Sequence, residues 1–257
     1  MRKPVVAFLL VLLLCCSACS ATTGNTVAQT STIDALLAGA YDGNMACREL
    51  LKHGDLGIGT FDHLDGEMTV LNGTVYQIKS DGRVYTPDET ITTPFAAVCA
   101  FDPDYTLPLE NGMDYEALKA YVDSVIANRN VFCALKITGT FKRMKTRAVP
   151  RQQKPYPPLI DVTRNQPVFD MENVSGTIAG FRCPPFVRGI NVPGYHLHFI
   201  SDDHKRGGHI LDFELISGIS QMDVCNRFLL ILPEKGEGLE DLDLSKDRSK
   251  ELEHVEQ

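Results

Sequence analysis

The residues best placed to do chemistry are histidines in two neighbouring stretches, Tyr195-His196-Leu197-His198-Phe199-Ile200 and His209-Ile210-Leu211-Asp212-Phe213. Side chains alternate faces along a strand, so His196 and His198 share one face while Leu197 and Phe199 share the other. Between the stretches runs Asp202-Asp203-His204-Lys205-Arg206-Gly207-Gly208, polar and ending in two glycines, which reads as a hairpin loop. A symmetric hairpin sets His209 opposite His198, and three imidazoles then converge on one small volume. Three histidine ligands with an open fourth position is the arrangement of a catalytic zinc site rather than a closed structural one. A lone histidine on a strand is more often a core or surface residue, and His204 in the loop is read as surface. Cupin-type and other oxygenase sites use similar spacings, so the pattern specifies a metal more tightly than a reaction.

The elements that must position these residues are mostly strands. Residues 67–71 and 74–78 alternate with period two around Asn72-Gly73, the signature of a type I′ hairpin. Asp81-Gly82 marks a second turn, residues 83–85 follow, and 95–101 continue an antiparallel meander. Residues 131–140, 174–182, 186–192 and 218–232 read as further strands. Helical spacing occurs at 31–40, at 45–53 with Gly54 as the stop, and at 114–127 with Asp114 as the cap. The glycine-rich residues 57–68 lack the G-x-G-x-x-G spacing and no strong helix follows, which excludes a nucleotide loop. Residues 141–158 are basic and proline-punctuated. They read either as a solvated linker or as a segment in which one arginine turns inward to hold a carboxylate, a task suited to its planar, permanently charged fork.

The 257-residue chain is long enough for one large or two modest domains. Its formal net charge of -8 argues against nucleic acid or anionic membrane surfaces as partners. An anionic substrate would need a local cationic patch, which a metal and an arginine could supply. Residues 1–21 read as a signal peptide, with Arg2-Lys3 ahead of an apolar run too short to span a bilayer comfortably. Cys19 after Ser17-Ala18 resembles a lipobox, and cleavage after Ser20 or Ala21 is the competing reading. The protein is thus expected to be exported, either periplasmic or extracellular, with membrane contact only through a lipid anchor. Five cysteines, Cys47, Cys99, Cys133, Cys183 and Cys225, are scattered through the mature chain without a C-x-x-C pair. One disulfide is allowed after export and none is implied. The expected organisation is a tether at 22–30, a sheet-rich domain at 31–145, a metal-binding domain at 146–233, and a charged tail at 234–257 that reads as solvated, with a helix from Ser245 as the alternative.

Four motifs in order resemble those of the α-acetolactate decarboxylase family: G-I-G-T-F-D-H-L-D-G-E-M at 57–68, T-P-F at 93–95, T-R-A-V-P-R-Q-Q-K-P-Y-P-P at 146–158, and G-Y-H-L-H-F-I-S-D-D with G-G-H at 194–209. The resemblance runs from about Thr32 to Leu232. It implies an α/β (α+β), β-rich fold of two sheet-built parts, mixed and antiparallel, with a barrel-like C-terminal part carrying the histidine hairpin, commonly paired as a homodimer. It implies a zinc enzyme that decarboxylates 2-acetolactate to (R)-acetoin and CO2. The family's zinc ligands match His196, His198 and His209. Its active-site glutamate matches Glu67, its arginine Arg147, and its glycine-flanked threonine Thr60. A further family glutamate near the C-terminus matches Glu256 best, with Glu253 and Glu251 close by. The rival readings are an exported metal- or ligand-binding lipoprotein of the same fold without activity, and a cupin-like metal oxygenase.

Overall fold

The computed structural model describes residues 24–234 and 239–256. The expected signal segment 1–21, with Cys15, Cys16 and Cys19, lies outside the described residues. The first strand, β1 (Thr26–Thr30), falls where a tether was expected, and four of its five residues are buried. A polar segment can be buried when each polar atom finds a partner. Here Gln29 Nε2 donates to the Ser31 and Ile190 carbonyls at 2.8 and 2.7 Å, and Gln29 Oε1 accepts from Asn191 at 2.6 Å. The backbone of β1 is hydrogen-bonded on both edges.

Helix α1 (Ile33–Leu37) is capped by Thr32, whose hydroxyl accepts from the Ala35 N–H at 3.3 Å. The helix expected at 45–53 is reduced to α2 (Cys47–Leu50), because β2 (Met45–Ala46) takes the preceding residues into a ladder with Thr92–Thr93. Then come β3 (Leu56–Thr60), a 3₁₀ turn at Asp62–Leu64, and the hairpin of β4 (Glu67–Leu71) and β5 (Thr74–Ile78). Asn72 and Gly73 have φ of 49° and 75°, as a type I′ turn requires. The short β6 (Val84–Tyr85) and β7 (Thr92–Thr93) precede β8 (Ala96–Cys99).

Glycines fix the spacing of β3 against β8. A Cβ on Gly59 would lie 2.5 Å from the Phe95 carbonyl oxygen, and one on Gly54 would lie 2.2 Å from the Cys99 carbonyl carbon. Gly54, expected as a helix cap, is therefore required by close backbone approach. Gly59→Ala should cost about 1–3 kcal/mol, since overpacking must move backbone rather than a flexible side chain. An unchanged denaturation midpoint would show that the two strands can separate freely.

The second half opens with β9 (Tyr105–Leu109) and α3 (Tyr115–Val125), which Asp114 caps by accepting from the Ala117 N–H at 2.8 Å. Strand β10 (Phe132–Arg147) runs through the basic stretch and takes it out of solvent-linker status. Lys142 and Arg143 pair with Glu214 and Asp212 at 2.8 and 2.7 Å, and Arg147 turns inward. After α4 (Leu159–Thr163) come β11 (Val168–Cys183), β12 (Gly194–Ser201), β13 (Gly207–Cys225) and β14 (Arg227–Ile231). The strand expected at 186–192 is instead a 3₁₀ turn at Pro185–Val187 and a loop. Pro184 and Pro185 offer no N–H to a ladder. The tail is not uniformly solvated: α5 (Ser249–Val255) buries Leu252 and Val255.

Two large sheets result. One has seven strands in the order β14-β1-β8-β3-β4-β5-β6; the other has five, β10-β11-β12-β13-β9, and its β10–β13 pairing closes four of them into a ring. The sheets interleave along the chain, since β9 and most of β10 precede residue 146 while β14 returns to the first sheet. Phe141, Phe199 and Phe213 pack edge-on in the core of the ring-forming sheet. Residues of α1, α4 and α5, including Ile33, Leu37, Leu159, Leu252 and Val255, form a separate apolar cluster with Leu64, Phe95 and Val149.

Candidate metal centre and active site

The hairpin pairs His198 with His209, Phe199 with Gly208 and Ile200 with Gly207, the symmetric register read from the loop. His196 projects from the same face of β12 as His198. The ring centroids of the three histidines lie 4.9–5.5 Å apart, and each offers a nitrogen within 4.8 Å of the others.

The tautomer of His198 follows from its partner. Its Nδ1 lies 2.7 Å from the Met68 carbonyl oxygen, which can only accept, so Nδ1 carries the proton. Nε2 therefore presents a lone pair inward, and this buried atom has no hydrogen-bond partner. An orphaned buried acceptor is costly unless something else occupies it. Burial, reinforced by Arg147, pushes His196 down to about 3, and burial holds His198 and His209 well below the ordinary value. Neutral imidazole is the ligating form. Three neutral nitrogens, one of them aimed by the hydrogen bond of its ring to the Met68 carbonyl, fit a divalent metal ion.

Two carboxyls flank the triad. Glu67, at the start of β4, is 7% exposed, and its Oε1 accepts from the Val149 N–H at 3.2 Å. Its Oε2 lies 3.7 Å from His198 Nε2. Burial pushes it up to about 7, against the pull of Arg147 and the Val149 N–H and with a further rise from Glu256. Glu256, just past α5, places Oε2 3.8 Å from His209 Nε2, and that buried oxygen has no hydrogen-bond partner. Burial raises it to about 7 as well, against Arg147. Glu251 instead pairs with Arg248 at 3.0 Å, and Glu253 is exposed. Of the three tail glutamates, Glu256 is the one brought to the histidines.

Arg147 lies opposite His209 in the β10–β13 ladder and is buried. Nη1 donates to Gln166 Oε1 at 2.7 Å and Nη2 to the Val255 carbonyl at 2.6 Å, both neutral acceptors, while Nε is unpartnered. Gln166 and the backbone of Val149 and Val255 were not singled out from sequence, because nothing local marks a residue whose task is to hold another. Thr60 is buried in the cavity wall, and its hydroxyl donates to the Gly66 carbonyl at 2.7 Å, closing the turn that delivers Glu67. His63 and Leu64 in that turn have φ of 61° and 55°. Such strain in non-glycine residues gathers at functional sites.

Thr60, Glu67, Arg147, His196, His209 and Glu256 border one cavity of ≈ 40 Å³ whose remaining wall is apolar except for Thr163. The arrangement can hold a cation, present a guanidinium to an anion, and move protons through two carboxyls that change charge near neutral pH.

These groups give the metal-free protein a defined pH response. The imidazoles have folded-state values below 6.5, so their contribution to stability is present above 6.5 and is lost as pH falls toward 3. Glu67 and Glu256, raised from 4.5 to about 7, act oppositely: between those values stability falls as pH rises. Below 4.5 the histidine contribution is unopposed by the pair. The melting temperature of metal-free protein should therefore drop between pH 4.5 and 3, and drop less in His196→Gln. Equal drops in both proteins would mean that His196 is not held neutral.

A family model described as alpha-acetolactate decarboxylase matches residues 27–246. A protein of that name from Methanosarcina mazei is 48% identical over 228 residues, 89% of this chain and 79% of its own length. Another from Methylococcus capsulatus is 43% identical over 230 residues, covering 90% of this chain and 88% of its own. The crystal structure of alpha-acetolactate decarboxylase from Bacillus subtilis strain 168 superposes with a TM-score of 0.87 at 37% identity, covering 90% of this chain and 99% of that one.

Proposed function

The chain belongs to the alpha-acetolactate decarboxylase family and is an enzyme that decarboxylates acetolactate; we propose that it does so with zinc held by His196, His198 and His209, and that its product is (R)-acetoin. The observation that carries this reading is the unpartnered His198 Nε2 within a buried triad, with Glu67, Arg147 and Glu256 around it.

Acetolactate is a 3-oxo acid with a hydroxyl on the carbon that bears the carboxylate. Loss of CO2 leaves an electron pair that must pass into the ketone oxygen. A bound zinc would act there as a Lewis acid on the developing negative charge. Arg147 supplies fixed positive charge for the substrate carboxylate, its plane held by Gln166 and Val255. One face of the resulting carbon must then receive a proton. Glu67 is buried and Glu256 half-buried with its Oε2 out of solvent; both are raised to about 7, and they arrive from different elements, β4 and the end of α5. A carboxyl near neutrality is well matched to donate that proton and recover it. The handedness of acetoin is thus assigned to whichever carboxyl delivers the proton. The apolar wall of Leu64, Phe95, Val149 and Leu159 restricts water at the site.

We further assign residues 1–21 to export, supported by their charge and hydropathy pattern; among the described residues no helix is long and apolar enough to cross a membrane. Homodimerisation is supported by the open edge of β14, where Leu229 is exposed, with Leu232 just beyond.

The test is acetoin formation from racemic acetolactate by protein lacking residues 1–21, with and without chelator and in the absence of dioxygen. Activity should vanish on chelation, return with zinc, and yield the R enantiomer. A folded, zinc-loaded protein that forms no acetoin would favour a binding protein, and a requirement for dioxygen would favour an oxygenase.

A further inference from the structure

Cys99, Asp223 and Cys225 come together apart from the histidine triad, where β8 of one sheet meets β13 of the other. Cys99 ends β8, and Cys225 ends β13 two residues after Asp223. One sulfur or carboxylate oxygen from each lies within 4.8 Å of the other two, and all three residues are 0–1% exposed. Both cysteines are free thiols. They belong to an apolar cluster that also contains Cys183.

Buried thiols alone are ordinary core residues, behaving as small hydrophobes. The carboxyl of Asp223 is what an apolar core does not explain. Its Oδ2 accepts from the Asp102 N–H at 3.0 Å, and the charges facing it are acidic: Asp55, Asp102 and Asp104. Cys99 likewise faces Asp223, Asp55 and the other thiol. A buried carboxyl faced by further carboxylates is expensive. A cation at the common centre removes that cost, and two sulfurs with one carboxylate oxygen select a thiophilic divalent ion over calcium or magnesium.

We propose that Cys99, Asp223 and Cys225 form a second metal site, specific for a thiophilic divalent cation of the zinc and cadmium class, that ties β8 to β13. On binding, the two S–H bonds break and their protons leave to solvent, while two sulfur–metal bonds and one oxygen–metal bond form. The cation's two positive charges are then met by three anionic donors. Affinity therefore rises with pH, as linkage to proton release requires.

The experiment is a cadmium titration of reduced, zinc-loaded protein, read by the ultraviolet sulfur-to-cadmium charge-transfer band, which histidine ligation does not produce. The band should saturate at one cadmium per chain and be accompanied by a higher melting temperature. It should persist in His198→Ala and Cys133→Ser, and be lost in Cys99→Ser and Cys225→Ser. Asp223→Asn should keep it with affinity about 10-fold lower or worse. Should the serine variants not fold, the wild-type stoichiometry and the Asp223→Asn shift decide the matter. No band in the wild type, or a band undiminished in folded Cys99→Ser and Cys225→Ser, overturns the site. So does an intact mass lower by two hydrogens, which would mean a disulfide.

Discussion

Replacing His198 by alanine is expected to remove the metal and with it at least about 10³-fold of activity, because a Lewis acid at the reacting oxygen is worth several kcal/mol. His198 is the most constrained of the three ligands. Its Nδ1 proton is tied to the Met68 carbonyl, which aims Nε2 at the other two rings. The substitution also has a structural cost of about 1–3 kcal/mol, since the Met68 carbonyl loses its donor in a buried setting. Metal content and circular dichroism on the same sample separate the two effects. A folded variant that contains no metal and turns over at the wild-type rate would overturn the assignment of the triad to catalysis.

Glu67→Gln should keep the metal and slow turnover by about 10²–10⁴-fold, the range for loss of a positioned proton donor. The amide matches the carboxyl in shape and can still accept from the Val149 N–H, so packing should survive. Truncation after Leu244 is the complementary experiment. It removes Glu256, the Val255 carbonyl that holds Arg147 Nη2, and the buried Leu252 and Val255. It should abolish turnover whichever carboxyl donates the proton. Glu256→Gln, which keeps α5, resolves the choice. If Glu67→Gln is near wild type and Glu256→Gln is slow, the proton comes from the tail. The enantiomeric composition of residual acetoin reports the same switch independently.

The parts of the site legible in sequence were those written in local patterns. The alternation of His196 and His198 and the glycine-ended loop led to the pairing of His198 with His209, and Asn72-Gly73 led to the hairpin that begins at Glu67. In both cases the turn chemistry and the period-two pattern lie within a dozen or so residues. Arg147 was half legible, since a basic run shows that an arginine is available but not that its strand continues inward. Glu256 and β1 were obscured for a common reason. Each looks polar in isolation, and each is buried only through a partner far along the chain: Arg147 and His209 for the tail, Arg227–Ile231 for β1. Polar sequence predicts exposure only where no such partner awaits. Gln166 had no signal at all, because its value lies in the neutral acceptor it offers to Arg147.

The parallel pairing of β1 with β14 has a kinetic consequence. Thr26 lies beside Arg227, so the second strand of the seven-stranded sheet finds its neighbour only when nearly the whole chain is present. Contacts so distant in sequence demand closure of a very long loop before they return any stabilisation, and folding slows accordingly. A nascent chain that has emerged only as far as β8 therefore carries a sheet with one unpaired edge at β1. The full set of groups around the histidines waits on the same event, since α5 and Glu256 follow β14. Synthesis beyond Glu256 thus precedes assembly of the site, and until then the growing chain has neither the β1–β14 ladder nor the second carboxyl beside the histidines.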